Sequence, residues 1–116
     1  MTAPVKETIR FADFEKLDIR AGTIRQAEPI ERSRDLVRLR VDFGDHERTI
    51  LAGLKQERDD LTALVGVQTL FVVNLEPRKM MGETSEGMLF DVGYADGVTP
   101  VLALLENPVP DGTRAG

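Results

Sequence analysis

An all-β barrel with one short helix is the fold class this sequence predicts, on three observations. Apolar and polar residues alternate with period two through most of residues 17–51, the stretch 54–65 changes to helical spacing, and apolar runs resume on either side of a glycine-bearing loop at 75–86. The element order is therefore three strands, a helix and two strands.

The first strand is expected from Leu17 to Gln26. Leu17, Ile19 and Ala21 alternate with Asp18 and Arg20, Gly22 interrupts, and Ile24 resumes, as in a bulged strand. In the second, Val37, Leu39, Val41 and Phe43 share one face, while Leu36, Arg38, Arg40 and Asp42 share the other. Arg38 and Arg40 thus project together, away from the core. Gly44-Asp45 supplies a turn before a short third strand near Arg48 to Leu51. Leu54, Leu61, Leu64 and Val65 fall at helical spacing, and Gly66 is the stop. The run from Val67 to Val73 is the fourth strand, and Gly87 to Val92 the fifth. This order is that of a five-stranded OB-fold, a Greek-key barrel, with its helix between strands three and four. Such barrels bind oligonucleotides on the strand 2 to 3 face and at the loops joining strands 1 to 2 and 4 to 5. Those loops correspond to Ala27 to Arg34 and Leu75 to Glu86.

A chain of 116 residues suits a single domain, 1–116, with one modest core. Without cysteine there is no disulfide framework, thiolate nucleophile or Cys-ligated zinc. The N-terminus lacks a signal-peptide core, and nowhere do about 18 apolar residues run together. A cytoplasmic protein with no membrane partner is the expectation. The net charge of -5 argues against a nucleic-acid partner, but its distribution weakens the objection. From Arg20 to Arg48 there are seven arginines against six acids; from Asp91 onward Arg114 faces Asp91, Asp96, Glu106 and Asp111. The acidity is gathered at the C-terminal end, leaving a more basic middle.

Catalysis has little support in the residues. His46 is the only histidine and has no cysteine or histidine partner for a metal set; a solvated side chain beside a turn is the plainer reading. No nucleophile elbow, Walker loop or dinucleotide glycine pattern is present. A binding protein with no enzyme activity, cofactor or metal is expected. Its best candidate surface is the long loop carrying Arg78, Lys79 and paired methionines, because loops of that length in a compact domain are more often functional than merely connective.

The run DFEKLDIRAGTI from Asp13 to Ile24, together with NLEPRKMMGETSEGML from Asn74 to Leu89, resembles the tRNA-binding-domain family. That family includes the C-terminal appendage of methionyl-tRNA synthetases, free-standing bacterial tRNA-binding proteins and the CsaA secretion-chaperone group. The resemblance covers about residues 11–113, leaving 1–10 as an N-terminal extension. Leu51-Ala52-Gly53-Leu54 and Ser85-Glu86-Gly87-Met88 are closer to the free-standing and synthetase-like pattern than to CsaA. The resemblance implies tRNA contacts at Asn74, Arg78, Lys79, Met80, Ser85 and Met88. Arg78 and Lys79 would neutralise phosphates, Asn74 and Ser85 would donate to phosphate or 2′-hydroxyl oxygens, and the methionines would lie against a sugar or base.

Plainer roles stand beside these. Met80, Met81 and Met88 could plug the barrel mouth, Asn74 could cap the loop by bonding its own backbone, and Ser85 with Glu86 could be ordinary turn structure. Arg38 and Arg40, RNA-binding candidates on the strand 2 to 3 face, could instead be a solvated strand face paired with Asp35, Asp42 and Glu47. With five phenylalanines, one tyrosine and no tryptophan, a platform for stacking successive bases is not expected, and recognition by RNA shape and backbone is favoured. Val101 to Leu105 is apolar on both faces, which points to a homodimer interface. The competing reading is a CsaA-like chaperone holding unfolded or exported polypeptides against Met80, Met81 and Met88. A synthetase acting in trans is a further partner to test for.

Overall fold

The computed structural model describes residues 2–116 except Gln56, Glu57 and Asp59. A single helical turn, α1 (Phe11–Phe14), precedes the barrel strands β1 (Ile19–Pro29), β2 (Val37–Asp42), β3 (Glu47–Ala52) and β4 (Gln68–Val72). Six short strands follow: β5 (Arg78–Met80), β6 (Glu83–Ser85), β7 (Met88–Leu89), β8 (Asp91–Val92), β9 (Val101–Leu102) and β10 (Arg114–Ala115). The main sheet is antiparallel in the order β3-β2-β1-β4-β7, with β10 added to β1. No helix among the described residues is long and apolar enough to cross a membrane.

β1 is long enough to serve β4 and β2 in succession, while its first two residues also pair with β10. Its first half pairs with β4 from Ile19 to Thr23, and its second half pairs with β2 from Thr23 to Pro29. Arg25 is the extra residue near the start of the second half, since Ile24 faces Val41 and Gln26 faces Arg40. Such a bulge bends a strand and increases its twist, which lets one strand turn the corner of a barrel. The irregularity is therefore at Arg25 and not at the expected Gly22. Gly22 answers a different need: a Cβ there would lie 2.7 Å from Phe43 Cε1 and from Val41 Cγ1. The missing side chain makes room for the Phe43 ring, which meets Phe71 edge to face at 5.5 Å.

The remaining edge, that of β3, is closed largely by side chains. Leu51 N–H donates to Ser85 Oγ at 3.0 Å and Thr49 N–H to Glu86 Oε1 at 2.9 Å, while Glu86 N–H donates back to Thr49 O at 2.8 Å. These bonds occupy backbone groups that would otherwise lie open along a strand edge. The enclosed core includes Ile24, Val37, Leu39, Ile50 and Phe71, all fully buried.

Three expectations are corrected. The helix expected from Leu54 to Val65 falls partly on the residues outside the description; within the described ones it is a single 3-10 turn, Leu61–Leu64, capped by the Asp60 carboxylate accepting from Thr62 N–H. Leu54 and Leu64 are buried in the core, so their spacing reflected two separate core insertions. The long loop Leu75 to Glu86 contains the β5–β6 ribbon. The fifth strand divides at Phe90: Met88–Leu89 pairs with β4, whereas Asp91–Val92 leaves to pair with Val101–Leu102.

Candidate functional site

The β5–β6 ribbon pairs Arg78 with Ser85, Lys79 with Thr84 and Met80 with Glu83. Its two turn residues, Met81 at φ 52° and Gly82 at φ 80°, are both left-handed, as tight hairpins between twisted strands favour. Met81 is the only non-glycine residue at positive φ among the described residues. Arg32, from the β1–β2 connection, donates to Met81 O at 3.1 Å and steadies this turn. Side chains alternate across a ribbon, so Arg78, Met80, Glu83 and Ser85 share one face, and Lys79 and Thr84 the other. The first face carries buried Ser85 and half-buried Met80 and Glu83; Lys79 and Thr84 are exposed. The two adjacent cations therefore point apart.

The arginines of β2 are engaged within the protein. Arg38 donates from Nε and Nη2 to the two Glu83 carboxylate oxygens at 2.5 Å each, and Glu28 lies 3.8 Å away. The same hydrogen bonds hold the Glu83 carboxyl below its ordinary range and raise the Arg38 pKa. Arg40 donates to Glu47 at 3.1 Å and to Thr49 Oγ1 at 3.0 Å. The paired-face reading thus applies with partly different partners: Glu47 was anticipated, while Glu83 and Glu28 stand in place of Asp35 and Asp42. Arg25 pairs with Asp42, and Arg48 donates to the carbonyls of Val73 and Glu86. Much of the basic middle is spent on internal partners. Arg78 and Lys79 make no ion pair among the described residues.

Two expected contact residues have their polar atoms occupied. Ser85 is only 3% exposed; its hydroxyl accepts from Leu51 N–H and donates to Gly87 O at 2.9 Å. Asn74 accepts from Asp18 N–H at 2.8 Å and donates to Lys16 O at 2.6 Å, tying the chain entering β1 to the end of β4. That is long-range bridging, in contrast to a cap on its own loop. Asn74 also borders a cavity of about 780 Å³ between α1 and β10, apart from the ribbon.

Arg78, Met80 and Met88 do come together. With Met81 they line a groove of about 510 Å³ together with the end of β3 at Leu51 to Gly53, Asp35 and Leu36, and Asp91 with Tyr94. Met81 and Met88 are 44% and 45% exposed, so they border the groove and do not plug the barrel. The groove combines a guanidinium unpaired among the described residues, three polarizable thioethers and an aromatic ring at the barrel's ribbon end. Sequence reasoning missed Glu83, Arg32 and Tyr94. Only Tyr94 had a local signal, an aromatic within the turn-forming run Gly93-Tyr94-Ala95-Asp96-Gly97.

Residues 19–114 match the family model described as "Putative tRNA binding domain". Among solved structures, the chain is similar to a MetRS related protein from Pyrococcus horikoshii, with 35% identity and a TM-score of 0.87 over 96% of this chain and 100% of that one. It is also similar to the chaperone CsaA of Bacillus anthracis, with 29% identity and a TM-score of 0.85 over 95% and 100%. The C-terminal domain of Plasmodium vivax p43 shares the fold at 24% identity and a TM-score of 0.76, over 84% of this chain and 58% of that one.

Proposed function

Because this chain belongs to the tRNA-binding-domain family, we propose that it binds tRNA without catalysis, reading mainly the shape and backbone of the folded RNA. The carrying observation is the contrast in charge: most arginines of the barrel face have internal partners, whereas Arg78 and Lys79 have none among the described residues. Arg78, Met80 and Met88 form the contact surface, with Lys79 reaching outlying phosphate and Arg40 at the margin. Arg38, Asn74 and Ser85 act one step back, holding the ribbon and barrel edge that carry those residues. Solution binding of labelled unfractionated tRNA, followed by anisotropy at low and near-physiological salt, tests this reading. Micromolar binding that weakens with salt supports it; no binding at low salt overturns it.

The exposed methionines favour one second reading, a polypeptide-binding chaperone like CsaA, since flexible thioethers adapt to varied apolar partners. Its signature is suppression of a client's aggregation with little salt dependence and no loss on Arg78→Ala. In either case the protein acts as a homodimer in the cytoplasm. Val101 and Leu104, 55% and 69% exposed, supply apolar surface for the interface. A synthetase working in trans fits the tRNA reading, and co-elution in the presence of tRNA tests it.

A further inference from the structure

Tyr94 is the only tyrosine, and the chain has no tryptophan. It opens a 3-10 turn, Tyr94–Asp96, between Gly93 at φ 121° and Gly97 at φ 69°. Asp96 N–H and Val98 N–H both donate to Gly93 O at 3.0 Å, and Gly97 N–H donates to Tyr94 O at 3.2 Å. A side chain at Gly93 would meet Val98 O at 2.9 Å, so this backbone is closely packed as well as bent. The turn presents Tyr94 as a residue 71% exposed. A residue so exposed contributes little to the stability of its own chain.

Its surroundings indicate what it meets. Tyr94, Met88, Leu89 and Asp91 line both the 510 Å³ groove and an adjoining one of about 290 Å³. Asp91 makes no ion pair among the described residues. A flat ring and a thioether suit the face of a base, Arg78 suits its phosphate, and a carboxylate suits a base edge made of donors.

Resting on the tRNA reading above, we propose that one unstacked nucleobase, guanine by preference, seats in this groove against Tyr94 and Met88, with its Watson–Crick edge toward Asp91 and its phosphate toward Arg78. Guanine presents two adjacent donors on that edge, N1–H and N2–H, which match the two oxygens of one carboxylate. Adenine and cytosine each place a ring-nitrogen acceptor beside their single amino donor. Uracil flanks its one N–H with carbonyls. Asp35 also lines the larger groove and Asp96 the smaller, but Asp91 is the carboxylate that lines both beside Tyr94 and Met88; a carboxylate there repels phosphate and these acceptors, so it selects the donor edge. One ring does not make a platform for successive bases, but it suffices for one.

The lone tyrosine makes the test direct. Tyrosine emission is recorded during titration with unfractionated tRNA, beside the anisotropy of labelled tRNA. Labelled single-stranded hexanucleotides UUUGUU and UUUAUU are then compared on the wild type, Asp91→Asn and Tyr94→Leu. The expected result is quenching that saturates with the anisotropy and a guanine preference of at least about fivefold, the low end for a bidentate base contact. Asp91→Asn abolishes that preference, and Tyr94→Leu weakens both hexanucleotides with an unchanged circular dichroism spectrum. Bound tRNA with unmoved emission, or equal affinity for the two hexanucleotides, overturns the base seat and leaves the tRNA reading standing. Absence of tRNA binding at low salt overturns both.

Discussion

The guanidinium of Arg38 on β2 grips both carboxylate oxygens of Glu83 on β6 in a two-pronged contact 2.5 Å long on each side. The fork joins residues 45 positions apart and fixes the ribbon to the barrel face. Fixing a recognition element in place strengthens binding by reducing the ordering left to do on association. Arg38→Ala and Glu83→Ala are each expected to lower the melting temperature, and the double variant to lose less than the sum of the two. Arg38→Ala should also weaken tRNA binding while leaving the dependence of log K on log salt unchanged. A slope reduced as if one phosphate contact were gone would instead place Arg38 on the RNA.

The same contact predicts an acid-sensitive limb of stability. Arg38 holds the folded-state pKa of Glu83 below its ordinary value of 4.5. A depressed folded-state value contributes stability in full above the unfolded-state pKa and loses it as pH falls through the folded-state pKa. Thermal unfolding measured from neutral pH to below pH 4.5 should show a shallower acid decline for Glu83→Gln than for the wild type. Asp18, held down by Arg20, and Asp42, held down by the Gly44 N–H and then by Arg25, retain part of the decline in both proteins. Superimposable acid limbs would show that the fork contributes nothing to pH-dependent stability.

Arg78 and Lys79 should separate by geometry although they are adjacent. Each phosphate contact contributes about 0.7 to 0.9 to the salt slope. Arg78→Ala should remove close to a full contact because Arg78 lines the groove. Lys79→Ala should remove less, since Lys79 faces solvent on the other side of the ribbon. Anisotropy titrations over a salt series give both slopes, and a larger change for Lys79 would move the RNA to the opposite ribbon face.

Period-two patterning made β2 legible in the sequence, together with the projection of Arg38 and Arg40 on one side; the observed strand is Val37–Asp42 with that alternation. The ribbon was hidden because its turn begins with Met81, whereas left-handed turn positions usually announce themselves as glycine or asparagine. Of the expected helix the described residues show the 3-10 turn Leu61–Leu64, and Leu54 enters the core just beyond β3. Charge pairing was legible only at short range. Arg40 finds Glu47 seven residues away, but nothing local announces Glu83 as the partner of Arg38.

Gly22 carries a packing prediction that its place in a strand pattern did not reveal. A methyl group there would have to displace Phe43 or Val41, both fully enclosed. Overpacking of this kind costs about 1–3 kcal/mol. Denaturant unfolding of Gly22→Ala should show that loss with an unchanged m-value, and wild-type stability would mean that the Phe43 ring can shift freely.

Ser85 distinguishes a support role from a contact role. Its hydroxyl receives the Leu51 N–H of the β3 edge and passes a hydrogen bond to Gly87 O, so Ser85→Ala leaves both backbone groups short of a partner where the barrel closes. A buried donor stripped of its acceptor costs about 1–3 kcal/mol, and that loss should appear in denaturant unfolding. At temperatures where the variant remains folded it should bind tRNA as the wild type does, because Arg78 and the methionines are retained. The reverse pattern, unchanged stability with weakened binding, would mean that the hydroxyl leaves Leu51 to donate to RNA.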